Sequence, residues 1–353
     1  MILPIPDHFQ PDRLSELRRI PYADLALQAQ TWANHHQLQP ATADTTRIGL
    51  LAIDVQNTFC LPEFELFVGG RSGTGAIDDT ARLCRFIYQH LDRLTEIIPT
   101  LDTHTAYQVF HPAFWRDRDG NPPAAMTTIS LEDIDTDRWQ INPSVVAIIA
   151  ARAGIDGDRN AYARQYARHY VRQLTDAGKL PLTIWPYHSM LGGVGHALVP
   201  TFEEACFFHT IARSSQTRFE LKGNNPLTEN YSVLRPEVLT DARGLEIARK
   251  NEAAIEHLLE FDALIIAGQA KSHCVAWSIR DLLTEIQARD PELARRVYLL
   301  DDCMSPVVVP DVVDFTDSTE AVFAKFAVAG MHRVTTAMPI DTWPEFPAAS
   351  IPV

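Results

Sequence analysis

A thiol, a lysine, two carboxylates and several imidazoles in this chain fall where a folded sheet would bring them to one edge. Cys274 follows the turn GQAKSH and opens the amphipathic run CVAWSIRDLLTEIQAR, which places it at a helix N-terminus. There the helix dipole and unpaired N–H groups favour a thiolate and offer donors to an oxyanion. Asp54 ends the apolar run RIGLLAID, and Lys222 ends TRFELK. An ammonium beside the thiol would lower its pKa further. A carboxylate within reach could take the thiol proton and later return it to a leaving amine. Asp102 and His104 form an Asp-x-His pair at the end of a third strand, with His111 and His188 as further candidates. Two imidazoles and a carboxylate with open positions suit a divalent transition metal acting as Lewis acid or substrate anchor. Taken singly, each residue has a plainer reading: Cys274 as a small buried hydrophobe, Asp54 as a strand cap, Lys222 as a surface lysine, Asp-x-His as a chance loop. Delivery by four strands to one edge is what favours chemistry.

The elements that must position these groups follow an α/β rhythm. RIGLLAID (47–54), EIIPTLD (96–102), FDALIIAG (261–268) and RRVYLLDD (295–302) read as strands, the most apolar of them as strands covered on both faces. TRFELK (217–222) and HRVTT (332–336) add two more. Helices are predicted at about 76–94, 202–214, 244–260, 274–289 and 317–329 between them. The expected fold is a three-layer α/β/α domain with a mostly parallel, doubly wound sheet of about six strands. In such sheets ligands bind beyond the carboxyl ends of the strands. Residues 47–353 form this domain. Residues 1–46 form a polar N-terminal arm with a helix at 22–35, lying on the domain or on a partner subunit. Residues 116–183 interrupt the rhythm with the turn formers RDRDGNPPAA and one helical stretch at 160–174, and read as an insertion.

Composition sets the outer limits. The chain has 353 residues, 46% of them hydrophobic and 22% charged, as in a water-soluble globular protein large enough for a sizeable core. A net charge of −14 and the absence of basic runs argue against nucleic acid as a partner. The five cysteines are scattered, which reads as free thiols in a reducing compartment. Cys60, Cys84, Cys206 and Cys303 read as small hydrophobes. No secretory pattern opens the chain, and no apolar stretch approaches the roughly 18–20 residues of a membrane span. A cytoplasmic protein with no membrane partner is expected.

With these residues assembled, the chain resembles the nicotinamidase and isochorismatase-like cysteine hydrolase family, in order from about 47 to 310. DVQNTF (54–59) is similar to the family's opening Asp-x-Gln-Asn-Asp-Phe, with Thr58 where an acid is common. TLDTHTAYQVFHPAF (100–114) resembles its Asp-x-His segment, and IWPYHSMLGGVGHAL (184–198) its Trp-Pro-x-His-Cys segment with Ser189 in place of Cys. ELKGNNPLTENYSVL (220–234) resembles the Lys-Gly stretch ending in Tyr-Ser, and AGQAKSHCVAWSIRDL (267–282) the nucleophile turn. The resemblance implies a triad of Asp54, Lys222 and Cys274, and an oxyanion hole from the N–H groups of Ala270 and Cys274 with a cis peptide before Ala270. It implies metal ligands Asp102, His104 and His188, with His111 a less certain fourth, and an aromatic substrate flanked by Phe59 and Trp185. Zinc is the first expectation for the ion, with manganese or iron as alternatives. The implied activity is hydrolysis of a small-molecule amide, nicotinamide or a related aromatic amide, through a thioester on Cys274. Hydrolysis of an N-carbamoyl or ureido group, or of an isochorismate-like ether, is the alternative within the family. A silent pseudoenzyme with a protein-binding insertion is the alternative outside it. A homo-oligomer is expected. The long insertion and the extra arm depart from the compact members, and the insertion could roof the site.

Overall fold

A computed structural model describes residues 2–348. Six strands form the central sheet: β1 (Ile48–Ile53), β2 (Glu96–Asp102), β3 (Glu220–Lys222), β4 (Ala263–Gly268), β5 (Val297–Leu300) and β6 (His332–Val334). Their order is β6-β5-β4-β1-β2-β3, and every pairing is parallel. The chain winds outward from β1 through β2 to β3, then returns to place β4 on the other side of β1. The reversal opens a crevice between the carboxyl ends of β1 and β4, the place where doubly wound sheets bind ligands.

Alternate side chains of the central strands feed two apolar layers. Leu51 and Ile53 of β1, with Leu264 and Ile266 of β4, face one layer; Ile48, Leu50 and Ala52, with Ala263, Ile265 and Ala267, face the other. Every residue of β1 and β4 is buried, which is why their sequences are continuously apolar rather than alternating. Truncating such a side chain, as in Leu50→Ala, costs about 2–5 kcal/mol.

Helices cover both faces. α1 (Tyr22–His35), α2 (Gly75–Gln89) and α5 (Pro200–Arg213) pack on one side. On the other lie α6 (Glu252–Leu259), α7 (Ala276–Arg289) and α8 (Thr316–Val328), together with α3 (Pro143–Arg152) and α4 (Arg159–Asp176) of the insertion. Residues near the N-terminus contact α2 and α5. Arg18 pairs with Glu204 of α5 at 2.5 Å, and Leu3 N–H donates to Gln89 O at 3.0 Å. Among the described residues, no helix is long and apolar enough to cross a membrane.

Three sequence expectations need correction. The helix expected over 244–260 begins only at Glu252, because the Asn251 side chain caps Ala254 N–H and Gly244, at φ 75°, closes a turn on Asp241. The insertion holds two helices beyond the one expected, a short one at Leu131–Asp135 and α3. The run PSVVAIIAAR of α3 lacks the polar spacing of an amphipathic helix, yet Asn142 accepts from Ser144 N–H and Pro143 occupies its first turn. β3 is three residues long rather than six, since only Thr100–Asp102 of β2 pair with it. Side chains from 116–183 share one apolar layer with β1, β4, α6, α7 and α8.

Candidate active site

Asp54, the first residue beyond β1, has φ 48°, a left-handed turn that ends the strand and leaves its side chain fully buried in the crevice. Its Oδ1 accepts from Thr100 Oγ1 at 2.5 Å, and Thr100 Oγ1 accepts from Asp54 N–H at 3.0 Å. Oδ2 lies 3.0 Å from Lys222 Nζ and has no well-aligned hydrogen bond, so it is the oxygen free to take a proton. The Lys222 ammonium also donates to Asp102 Oδ1 at 2.7 Å and Asn230 O at 3.1 Å, and lies 3.5 Å from Cys274 Sγ. β1, β2 and the turn after β4 thus place an acid, a second acid and a thiol around the lysine nitrogen that β3 delivers.

Charge within this buried set is distributed by proximity. Burial works to lower the Lys222 pKa, but Asp102 and Asp54 outweigh it and hold the ammonium charged, well above the usual lysine range. Burial works against ionisation of Asp102 too, but His104 and then Lys222 hold its carboxyl well below the usual range. Asp54 is raised by burial, with Lys222 offsetting part of that and Asp102 adding to it. The thiol behaves contrary to the expectation of a depressed pKa. Burial pushes Cys274 well above the usual thiol range; Lys222 opposes this, while Asp54 and Asp102 reinforce it. Cys274 lies in a single π-type turn, Lys271–Val275, ahead of α7. Burial thus favours the thiol form of Cys274 at rest.

The turn is fixed from both sides. The Gln269–Ala270 peptide is cis, and the N–H groups of His273 and Val275 both donate to Ala270 O, at 3.0 and 3.2 Å. Gly268, at φ 116°, passes so close to β1 that a Cβ there would lie 2.0 Å from Ile53 O.

Beside the lysine, Asp102, His104 and His188 turn donor atoms toward one another, all within 4.8 Å. Nδ1 of His104 lies 3.1 Å from Gly223 O, and Nδ1 of His188 lies 2.8 Å from Pro186 O. A neutral ring that donates from Nδ1 to a carbonyl has its lone pair on Nε2, the tautomer that suits a metal ligand. Both Nε2 atoms face Asp102 Oδ2, at 2.8 and 3.4 Å. The three residues could hold a metal ion, and the set fits a divalent transition metal. His111 stands apart from this trio. Its Nδ1 faces Thr105 O at 3.2 Å, its buried Nε2 has no partner, and its ring lies 5.6 Å from that of His188. Burial, then His188 and His104, lower its pKa to about 3, so it too presents a neutral ring. Gly223, at φ 83°, lets the backbone pass: a Cβ there would lie 2.6 Å from His104 Cε1.

A cavity of about 140 Å³ opens onto Cys274, Lys222, Asp102, His104 and His188. Phe59, Trp185 and Ala270 also line it, so every residue singled out from sequence except Asp54 and His111 reaches the cavity wall. Asp54 lies behind Lys222, fully buried. Sequence reasoning gave no role to Glu229, Tyr231 or His273, which also line the wall. Trp185 Nε1 donates to Glu229 Oε1 and to Tyr231 OH, each at 3.0 Å, which holds the indole upright. Burial, then Glu237, raises the Glu229 carboxyl well above its usual range, and burial alone lowers His273 to about 4. Gln56 was also passed over, although it lies within DVQNTF. Its side chain exchanges two hydrogen bonds with the Asp102 backbone, at 2.8 and 2.9 Å, and so ties the end of β1 to the metal-type cluster.

A curated relative, the nicotinamidase of Escherichia coli (strain K12), is 26% identical over 199 residues, spanning 54% of this chain and 76% of the relative. Among solved structures, the yeast nicotinamidase matches with a TM-score of 0.48 at 16% identity, over 82% of this chain and 99% of that one. The Acinetobacter baumanii nicotinamidase and pyrazinamidase matches with a TM-score of 0.45 at 16% identity, over 83% and 97%. No protein-family model matches the chain. The chain is thus similar in sequence to a nicotinamidase, and its own topology is a parallel, doubly wound sheet covered by helices on both faces.

Proposed function

We propose that the protein is a cysteine amidohydrolase that converts nicotinamide or a related aromatic amide to the carboxylic acid and ammonia. The observation that carries this reading is the position of Lys222 Nζ, 2.7–3.5 Å from Asp102, Asp54 and Cys274 Sγ at the floor of the aromatic-walled cavity.

Cys274 passes its proton to Asp54 as Sγ attacks the amide carbon, so the thiolate forms only as it is used. That order suits a thiol whose resting pKa is raised by burial. Lys222 stays protonated and offsets negative charge on sulfur and on Asp54. The N–H groups of Ala270 and Cys274 receive the developing oxyanion. Asp54 then gives the proton to the departing nitrogen, ammonia leaves, and a thioester remains on Cys274. Asp54 next takes a proton from water as its oxygen attacks the thioester. The acid leaves, and the thiol recovers its proton. Phe59 and Trp185 hold the ring between them. Asp102, His104 and His188 would hold a divalent ion, zinc in our reading, which supplies an electrophilic anchor for a ring nitrogen.

Ammonia release from nicotinamide by zinc-loaded protein tests this, with nicotinic acid forming in equal amount. Protein that carries the metal and leaves nicotinamide intact would overturn the substrate assignment.

A further inference from the structure

The insertion does not merely fill space beside the domain. Helix α4 carries Tyr162, Tyr166 and Tyr170 at a spacing of four, so the three rings share one face. All three are buried, and each hydroxyl reaches the stretch 223–251, which joins β3 to α6 with no helix or strand beyond a single bridge between Thr240 and Glu246. Tyr162 OH donates to Asp241 Oδ2 at 3.3 Å, and Tyr166 OH donates to Leu227 O. Tyr170 OH accepts from Glu229 N–H at 3.1 Å. His169 Nε2 adds a bond to Thr240 O at 2.8 Å. The tyrosines stay neutral, because burial raises all three pKa values.

This stretch governs how Lys222 points. An ammonium has three N–H bonds in fixed tetrahedral relation. One goes to Asp102 Oδ1 and one to Asn230 O; the third is left for Asp54 and Cys274. The Asn230 carbonyl therefore sets the direction of the catalytic N–H. Residue 229, one peptide earlier, is held at every polar group. Its N–H is on Tyr170, its C=O accepts from Glu237 N–H at 2.8 Å, and its carboxyl accepts from Trp185.

We propose that the insertion positions the catalytic lysine, with Tyr170 as the positioning residue acting through the Glu229–Asn230 backbone. The proposal rests on the assignment of Lys222 and Cys274 to catalysis. Tyr170→Phe leaves a buried N–H without its acceptor at the point where the loop aims Asn230 O. Tyr162→Phe is the matched control. It removes a hydroxyl from the same helix face, but Asp241 keeps Arg243 at 2.8 Å and lies farther along the loop.

The experiment compares wild type, Tyr170→Phe and Tyr162→Phe by Tm, by kcat and KM for ammonia release, and by iodoacetamide modification of Cys274 at pH 7.5, read by peptide mass spectrometry. Tyr170→Phe should lower kcat and the Cys274 modification rate each about tenfold with KM within threefold. Tyr162→Phe, at a similar Tm, should leave both within twofold. Equal modification rates in the two variants would overturn the proposal. Should Tyr170→Phe not fold, Tyr166→Phe carries the same expectation through Leu227 O. Modification needs no substrate, so an unreactive nicotinamide would count against the proposed function while this comparison still decides the role of α4.

Discussion

Replacing Lys222 by methionine should separate the electrostatic role of this residue from simple packing. The side chain is 1% exposed and pairs with Asp54, which is fully buried, and with Asp102, at 6%. Methionine fills a similar volume but leaves both carboxylates without their shared counter-ion. Removing one partner from a buried ion pair costs about 3–5 kcal/mol. With an unfolding entropy of about 2.1 cal/mol/K per residue over 353 residues, that loss corresponds to a Tm lower by about 4–7 °C. Calorimetry on metal-stripped protein gives the cleanest reading, since an ion at Asp102 would compensate in part. The exposed Lys325→Met should shift Tm by less than about 1 °C, within the usual range for surface substitutions. Iodoacetamide modification of Cys274 should slow at least tenfold in Lys222→Met, because the ammonium is the main influence that pulls the thiol pKa down. A Tm within 1 °C of wild type, or an unchanged modification rate, would refute the placement of Lys222 as the buried cation of the site.

Two further outcomes follow from the same structure. Chelation should remove about one divalent ion per chain and abolish ammonia release, with recovery on adding zinc or manganese; full activity in metal-free protein would contradict a role for Asp102, His104 and His188. Stability should fall as pH drops from about 6.5 to 4. His209 is fully buried with its Nε2 on Leu94 O at 2.8 Å, and burial lowers its pKa to about 4. In the unfolded chain it takes up a proton below about 6.5, whereas the folded protein does so only near 4, so acid favours unfolding across that window. The contribution is on the order of 3 kcal/mol. Urea unfolding of His209→Gln should show a correspondingly shallower loss between pH 6.5 and 4.5 than wild type, and identical slopes would contradict the assignment.

How far the sequence could be read depended on the range of the interactions involved. β1 and β4 stood out because burial on both faces demands unbroken apolar runs, and a strand end is a local feature, so Asp54, Asp102, Lys222 and Cys274 could be placed near one edge. The pocket wall was harder. Trp185, Glu229 and Tyr231 meet through a loop that has no period of its own, and Gln56 reaches Asp102 across two strands. The thiol pKa was misjudged for a related reason. A helix N-terminus and a nearby lysine are visible in sequence, whereas the desolvation that outweighs them appears only once the turn is packed. The continuous apolar character of α3 hid its helical period, and only its capping residues marked it.

The central claim is that Cys274 is the nucleophile. Its most direct test is the rate of ammonia release from nicotinamide by zinc-loaded Cys274→Ala, measured beside wild type in a coupled assay. The account predicts a loss of at least about 10³-fold, since the remaining groups can orient and polarise an amide but cannot form the thioester. Turnover within tenfold of wild type, in protein shown by mass spectrometry to lack the thiol, would contradict it.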